Sequence, residues 1–199
     1  SIAASDLLVM DLAPDAKGKP RRVVIQLMPA PFSQGWVGNI RKLVAAKFWD
    51  GTSINRVQDN YVVQWGDANA EDKAKAKSLP GDLAVVPESE YSVRFGPMNG
   101  LDSQLKAQVM ARLTVNADPY AKTNRVIGGW PVAADYESGA FWPVHCYGMV
   151  GVGRDMPPNT GTGAELYTVI GHAPRHLDRN IALVGRVIEG IEHLSSLPR

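Results

Sequence analysis

Residues 53–67, with the sequence SINRVQDNYVVQWGD, combine one arginine and one glutamine with several apolar side chains. The stretch predicts two short β-strands around a polar turn, which places Arg56 on the first strand beside Gln64 on the second. The apolar neighbours are Ile54, Val57, Tyr61, Val62 and Val63. Arginine is always charged and offers several fixed donors, so Arg56 could hold a peptide carbonyl while its neighbours hold a hydrophobic ring. This pairing suggests a protein that handles peptides.

The order of these residues matches a known signature. Arg56, Tyr61, Gln64 and the pair Gly66-Asp67 stand where that signature has Arg, Phe, Gln and Gly-Asp. On these residues the stretch resembles the cyclophilin family of peptidyl-prolyl cis-trans isomerases. The departures are Asn55 in place of a His, Asp59-Asn60 in place of a Pro-Gly turn, and Trp65 in place of a Gly.

Two further parts of the chain follow the pattern of this family. Near the start, VVIQL at 23–27 predicts a strand, and 48–51 (Phe-Trp-Asp-Gly) stands where the family has a Tyr-Asp-Gly-like turn. In the second half, residues 148–189 match the order and nearly the spacing of the family's loops and strands. The matching residues there are Pro158-Asn159-Thr160, Gly163, Leu166-Tyr167, Leu177-Asp178 and Gly185-Arg186-Val187. The resemblance is closest to divergent bacterial members.

The resemblance implies isomerisation of X-Pro peptide bonds, which needs neither a metal nor a cofactor. Rotation crosses a barrier of about 18–20 kcal/mol because amide resonance is lost, and a catalyst must bind the twisted amide better than the planar one. The resemblance gives this task to Arg56, with Gln64 holding Arg56 or the peptide backbone. The implied substrate-binding residues are Tyr61, Val62, Met149, Val150, Gly151, Glu165, Tyr167, His176, Leu177 and Ile181.

Several of these positions differ from the family pattern. Ile181 replaces a His that borders the proline site, Glu165 replaces a Gln, and Gly151 replaces an Asn whose backbone binds the peptide. His176 replaces the Trp that holds cyclosporin, so we expect weak cyclosporin binding. These changes leave two functions open. One is an isomerase that acts on X-Pro bonds during protein folding, and the other is a catalytically weak module that binds Pro-containing segments or a partner protein.

Composition argues against other classes of function. The chain has 199 residues, 45% hydrophobic and 21% charged, with a net charge of +1. This charge does not favour binding to nucleic acid or to an anionic membrane. No apolar run approaches the roughly 20 residues that span a bilayer. Cys146 is the single cysteine, which rules out an intrachain disulfide.

Other motifs in the chain remain incomplete. His172 and His176 have the spacing of two zinc ligands on a helix, but Pro174 between them predicts a turn and no Cys or carboxylate set completes a site. The glycine-containing runs 151–153 and 161–163 do not complete the G-x-G-x-x-G pattern of a phosphate loop. We therefore predict neither a metal site nor a nucleotide site.

The elements that position these residues are predicted to be mainly strands. The predicted strands are 7–12, 22–27, 53–57, 61–66, 146–152, 165–170 and 181–187, with shorter ones at 85–86 and 91–95. The predicted helices are 32–47 with Ser33 as its cap, 101–113 with Asp102 as its cap, and 189–196. Together with the resemblance, this pattern predicts a mainly β fold, a closed antiparallel eight-stranded cyclophilin-like barrel with helices capping the ends.

We expect a single domain over residues 1–199, with an extended insertion at about 68–145. The Lys/Glu/Ala run at 71–77 and the Gly/Pro-rich stretch at 128–143 indicate surface additions to that domain. We also expect a monomer. The chain begins at Ser1, which fits either a removed signal peptide or a shortened chain. With the bacterial resemblance, we expect a periplasmic location, and the cytoplasm is the alternative.

Overall fold

The computed structural model describes residues 1–94 and 118–198, whose strands form two antiparallel sheets. The strands are β1 (Leu7–Leu12), β2 (Arg21–Leu27), β3 (Ser53–Gln58), β4 (Val62–Gly66), β5 (Val93–Arg94), β6 (Thr123–Ile127), β7 (Trp130–Asp135), β8 (Ala140–Pro143), β9 (Met149–Val152), β10 (Leu166–Val169) and β11 (Leu183–Glu189). The larger sheet has seven strands in the order β1-β2-β11-β9-β10-β4-β3, and the smaller has four in the order β5-β8-β7-β6. The predicted mainly β fold is confirmed.

The larger sheet differs from the predicted closed barrel of eight strands. Among the described residues, its outer strands β1 and β3 each pair with one neighbour, so the curled sheet remains open. The predicted strand at 85–86 is also absent there: Asn39 hydrogen-bonds both backbone groups of the preceding Ala84, at 2.8 and 2.9 Å, and the Thr160 hydroxyl donates to the Val86 carbonyl at 2.6 Å. A side chain thus takes the place that a neighbouring strand would have at this point, and Val85 is 96% exposed.

Two α-helices lie in the described residues, α1 (Gln34–Ala45) and α2 (Glu192–Ser195). Short 3₁₀ helices occur at Ala4–Asp6, Glu88–Tyr91 and Arg175–Leu177. The amphipathic helix predicted at 32–47 is confirmed as α1, which buries Trp36, Ile40 and Leu43 at helical spacing. The helix predicted at 189–196 is shorter, because β11 continues to Glu189 and Gly190 turns the chain with a φ of 81°.

The start of α1 corrects one prediction. Ser33 precedes the helix but adopts a φ of 54° and makes no capping hydrogen bond with its side chain. The side chain of Gln34 instead donates to the carbonyls of Met28 (3.1 Å) and Phe32 (2.7 Å). The chain leading into the helix is therefore fixed by Gln34 and not by the predicted serine cap.

The main core joins α1 to the larger sheet. Alternate residues of β2 (Val23, Ile25 and Leu27) pack in one cluster with Trp36 and Ile40 of α1. The indole N–H of Trp36 also donates to the carbonyls of Thr160 and Gly161, both at 3.1 Å, which ties the helix to the loop before β10. This core supports the strands that carry the candidate site.

The smaller sheet corrects the interpretation of 128–143 as a surface addition. This stretch contributes β7 and β8, whose Ala133, Ala140 and Trp142 are buried in a second cluster. Gly128 and Gly129, with φ of 58° and 84°, form the two-residue turn between β6 and β7. A Gly-Gly pair is one of the preferred two-residue hairpin turns, so the sequence did contain information on this turn.

Other predictions fall partly or wholly outside the described residues. The strand predicted at 91–95 is confirmed only as β5, and Phe95 is not described. The helix predicted at 101–113, with Asp102 as its cap, lies outside the described residues. Within residues 1–94 and 118–198, no helix is both long and apolar enough to cross a bilayer. The single domain with an insertion at 68–145 stays a prediction.

Candidate active site

Strand pairing places the predicted residues in a row across the larger sheet. Arg56 on β3 lies opposite Gln64 on β4, Gln64 lies opposite Tyr167 on β10, and Tyr167 lies opposite Gly151 on β9. Residues directly opposite each other in antiparallel strands project to the same face of a sheet. The two predicted catalytic residues and two predicted substrate-binding residues therefore share one face.

Arg56 is exposed and is held by neutral groups. Its Nη1 donates to Oε1 of Gln64 at 3.5 Å, the long limit for such a bond, and its Nη2 donates to Oε1 of Gln58. Its guanidinium carbon lies 6.0 Å from the ring centroid of Tyr61. In the described part of the chain, no carboxylate forms an ion pair with Arg56. The positive charge is therefore oriented without being neutralised.

Glu165 orients Gln64 from the other side. Gln64 donates from Nε2 to Oε1 of Glu165 at 2.9 Å, and Asn55 donates to the same oxygen at 2.9 Å. With its amide nitrogen directed at Glu165, Gln64 presents its oxygen to Arg56. Sequence reasoning did not assign Asn55 or Gln58 to the site. Asn55 and Glu165 both depart from the family pattern, and an amide and a carboxylate form a donor and acceptor pair. The sequence could therefore have suggested the contact between Asn55 and Glu165.

The predicted apolar pocket residues also come together. Val62, Tyr167 and Val169 form a buried cluster, and Tyr61 and Ile181 pack against it. Tyr61 also stacks on His176 with 6.2 Å between ring centroids and 6° between planes, and its hydroxyl lies 3.4 Å from Nε2 of His176. Leu177 follows His176 in the same 3₁₀ helix.

Two of the three predicted residues of β9 do not reach this cluster. Met149 and Val150 are 2% and 1% exposed and belong to the main core, so the structure does not bring their side chains to the Tyr61 cluster. Gly151 does reach it. A Cβ atom at this position would lie less than 3.0 Å from the Tyr167 ring and hydroxyl, so the Tyr167 side chain occupies the space above the glycine.

A buried polar chain that sequence reasoning missed ends at Tyr167. Nε2 of His145 lies 2.7 Å from the Tyr167 hydroxyl, and Nδ1 lies 2.9 Å from Oδ1 of Asp178. Arg175 donates from Nε to Oδ2 of Asp178 at 2.6 Å and also contacts Asp118. Burial lowers the pKa of His145 and raises the pKa of Tyr167 well above its usual value, which favours the neutral form of both groups.

A cavity of about 520 Å³ adjoins the polar side of this site. Its lining includes Gln64 and Glu165 together with the charged side chains of Asp67, Lys77 and Arg154. Among the described residues, no group of three or more His, Cys, Asp or Glu side chains is arranged to hold a metal ion. The arrangement therefore combines one oriented cation, an apolar cluster and a polar cavity.

The family comparison decides which family the chain belongs to. The sequence model of the family described as "Cyclophilin type peptidyl-prolyl cis-trans isomerase/CLD" matches residues 18–199. The chain belongs to this cyclophilin family. The resemblance seen in the sequence and the predicted peptidyl-prolyl isomerase activity are thereby confirmed. A search of curated proteins found no match.

Solved structures of other cyclophilins share the fold. Cyclophilin AquaCyp293 from Hirschia baltica superposes with a TM-score of 0.68 and 24% identity, over 100% of this chain and 69% of that chain. A cyclophilin-type peptidyl-prolyl cis-trans isomerase of Cryptosporidium parvum gives a TM-score of 0.50 and 12% identity, over 96% of this chain and 86% of that chain. At these identities the comparison supports the fold alone.

Proposed function

We propose that this cyclophilin accelerates the rotation of X-Pro bonds in unfolded or flexible chains, with Arg56 as the catalytic residue and Gln64 as its partner. The observation that carries the proposal is the position of Arg56. Its guanidinium is exposed and contacts two amide oxygens beside an apolar cluster. A guanidinium has five N–H donors, so donors remain for a peptide.

The chemistry follows from what changes when an X-Pro amide twists. The amide loses resonance, and electron density returns to the proline nitrogen while the carbonyl stays a hydrogen-bond acceptor. A guanidinium N–H directed at the proline nitrogen stabilises the twisted amide, in which that nitrogen regains its lone pair, more than the planar one, which is the requirement for catalysis. Gln64, oriented by Glu165, keeps Arg56 in place. The cluster of Tyr61, Val62 and Tyr167 offers apolar contacts to the proline ring.

The test is a cis-to-trans exchange assay on an Ala-Pro-Phe-type peptide. We expect Arg56→Ala to reduce kcat/KM by about 10²–10³-fold, the loss typical of one donor that acts in the transition state. The matched control is Arg22→Ala, because Arg22 is also exposed but pairs with Asp11 on the far edge of the sheet. The control is expected to keep the activity of the parent.

Two results would change this assignment. An Arg56→Ala variant as active as the parent would remove Arg56 from the catalytic role. A folded parent that binds the peptide without accelerating exchange would favour the second function, a catalytically weak binding module. The burial of the cluster is the observation that keeps this alternative open, since Val62 and Tyr167 are only 3% and 4% exposed.

We also propose that cyclosporin binds weakly. His176 is exposed and stacks on Tyr61, and its small ring offers less apolar contact than an indole. His176→Trp is expected to tighten cyclosporin binding about tenfold, or about 1.4 kcal/mol, in a calorimetric titration. His172→Trp, four residues away and also exposed, is the matched control. Equal affinities of both variants would contradict the role given to position 176.

The monomeric state and the periplasmic location also stand as proposals. Gel filtration with light scattering is expected to give the mass of one chain at all concentrations tested. Fractionation of the source cells is expected to place the protein with periplasmic markers. A dimer mass, or recovery with cytoplasmic markers, would contradict the respective proposal.

A further inference from the structure

His145 is completely buried, yet it is polar and uses both of its ring nitrogens. Its side chain is 0% exposed and lies between Asp178 and the hydroxyl of Tyr167. Buried polar groups are expensive unless they are paired, so a histidine at such a position is retained for the contacts that it makes. The Tyr167 contact leads directly into the proposed site.

The hydrogen bonds that link Asp178, His145 and Tyr167 all run in one direction. A carboxylate accepts only, and Oδ1 of Asp178 lies 2.9 Å from both the backbone nitrogen and Nδ1 of His145. Nδ1 therefore carries the ring proton, and Nε2 accepts the hydrogen bond that the Tyr167 hydroxyl donates. Arg175 donates to the other oxygen of Asp178 at 2.6 Å and balances its charge. The hydroxyl of Tyr167 is thus held in one orientation.

A second contact restricts the same ring. Tyr167 lies opposite Gly151, and a side chain at 151 would overlap the outer end of the tyrosine ring. The glycine therefore supplies the space in which the ring lies, and His145 supplies the anchor at its hydroxyl. Gln64 flanks Tyr167 on the opposite strand. The ring is consequently fixed next to the residue that contacts Arg56.

We propose that His145 is a positioning residue of the isomerase site, which acts by fixing the Tyr167 ring where the proline ring of the substrate binds. The inference rests on the proposed function. His145 directly follows the smaller sheet, two residues after β8 ends at Pro143. The anchor also continues through Arg175 to Asp118 and to Asn124 of β6. Residues outside the seven-stranded sheet therefore set the geometry of the pocket.

A double-mutant cycle on His145 and Tyr167 tests this role. The variants are His145→Leu, Tyr167→Phe and the double variant, with His193→Leu on α2 as the matched control. The assay measures kcat and KM for a proline peptide and for the same peptide with pipecolic acid, the six-membered homologue. Circular dichroism selects folded variants.

Each single variant is expected to raise KM for the proline peptide about tenfold with a smaller change in kcat, because a loosened ring binds the substrate less well. The ratio of kcat/KM for the proline peptide to kcat/KM for the pipecolic acid peptide is expected to fall as well. The KM of the double variant is expected not to exceed that of the more impaired single variant, since both changes remove one shared contact. His145→Gln, which keeps a donor and an acceptor, is expected to recover part of the loss.

The proposal is overturned if folded His145→Leu keeps the KM and the ring preference of the parent. It is also overturned if the two single effects multiply in the double variant, because His145 would then act by a route other than Tyr167. If His145→Leu does not fold, Tyr167→Phe and His145→Gln still form the comparison.

A measurement that needs no turnover separates this inference from the proposed function. ¹⁵N NMR is expected to show His145 with its proton on Nδ1, and Tyr167→Phe is expected to shift the Nε2 signal. A proton on Nε2, or no shift, would overturn the inference even in an active enzyme. A parent that shows the expected signals without accelerating exchange would instead overturn the proposed function.

Discussion

At the scale of single residues, the group that contacts the guanidinium of Arg56 is a neutral amide, and the carboxylate lies one residue further away. Glu165 does not touch Arg56 but acts through Gln64, whose amide bridges the two. A carboxylate directly on the guanidinium would compete with the peptide carbonyl for its donors. In the site that we propose, one intervening glutamine keeps the arginine in place and leaves its charge available for a substrate.

Because His145 is buried, we expect the free energy of unfolding to depend on pH. Burial lowers the pKa of its imidazole in the folded chain, whereas the unfolded chain titrates near the ordinary value of about 6.5. The unfolded chain thus binds more protons as the pH falls through about 6.5 towards the folded pKa. The stability from this residue is present above that window and is lost across it, with a slope of up to about 1.4 kcal/mol per pH unit.

Urea unfolding at pH values from 7.5 down to 5.5 measures this dependence. The control is His145→Gln, which does not titrate and is expected to lose less stability over the same range. Parallel curves for the parent and the variant would contradict the assignment of the pH dependence to His145.

Residue types and spacing predicted the pair of Arg56 and Gln64 because pairing within a hairpin follows local rules, whereas Tyr167 was assigned by the family resemblance. The hairpin turn fixes this pair, and alternation along a strand fixes which face each residue takes. The contacts of His145 were not predictable in this way. Its partners Tyr167 and Asp178 lie 22 and 33 residues away, at distances where spacing carries no information on contact.

At the scale of elements, turns and side chains decided where the predictions succeeded. The hairpins β1-β2 and β3-β4 were predicted because apolar strands flank a polar turn. The β6-β7 hairpin turns at Gly128-Gly129, but the Gly/Pro-rich composition of 128–143 led to the interpretation of this stretch as a surface addition. Side-chain hydrogen bonds from Asn39 to Ala84 and from Thr160 to Val86 stand where a strand was predicted at 85–86, and no local pattern indicates such contacts.

Two glycines of α1 provide a matched pair of stability predictions. A Cβ at Gly38 would meet nothing within 4 Å, so Gly38→Ala is expected to stabilise the helix by about 0.5–1 kcal/mol. A Cβ at Gly35 would lie 2.8 Å from Val86 and 2.9 Å from Glu90. Gly35→Ala is therefore expected to lower the thermal midpoint while Gly38→Ala raises it. Equal shifts in thermal unfolding would show that propensity alone governs this helix.

At the scale of the whole molecule, Arg175 links the candidate site to the smaller sheet, and Arg186 of β11 also contacts Gly129 and Trp130 of the β6-β7 hairpin. Arg175 lies in the 3₁₀ helix that follows β10, and it contacts Asp178 as well as Asp118 and Asn124 at the smaller sheet. The side chains of Arg175 and Asp178 are only 13% and 5% exposed. The sequence did not indicate this connection, because it depends on how the two sheets pack.

Removal of this arginine is expected to destabilise the protein strongly. Arg175→Met leaves Asp178 as a buried carboxylate without its cation, and breaking such a pair costs about 3–5 kcal/mol. We expect a value near the lower end, since Asp118 is 27% exposed and can be solvated. Urea unfolding measures the loss, with Arg22→Ala as the control at an exposed ion pair. A similar stability for both variants would contradict the role of Arg175 as a connector.

The polar chain from Tyr167 to Asp118 bears on how far this enzyme can be shortened. A minimal version reduced to the larger sheet would omit His145 and Asp118, and the Tyr167 hydroxyl and the Arg175 guanidinium would then have to find new partners. Such a truncation would need compensating changes such as Tyr167→Phe to remain well packed. The contact between His145 and Tyr167 also constrains chimaeras. If the smaller sheet came from a relative, the residue at position 167 would have to be changed to match the one at position 145.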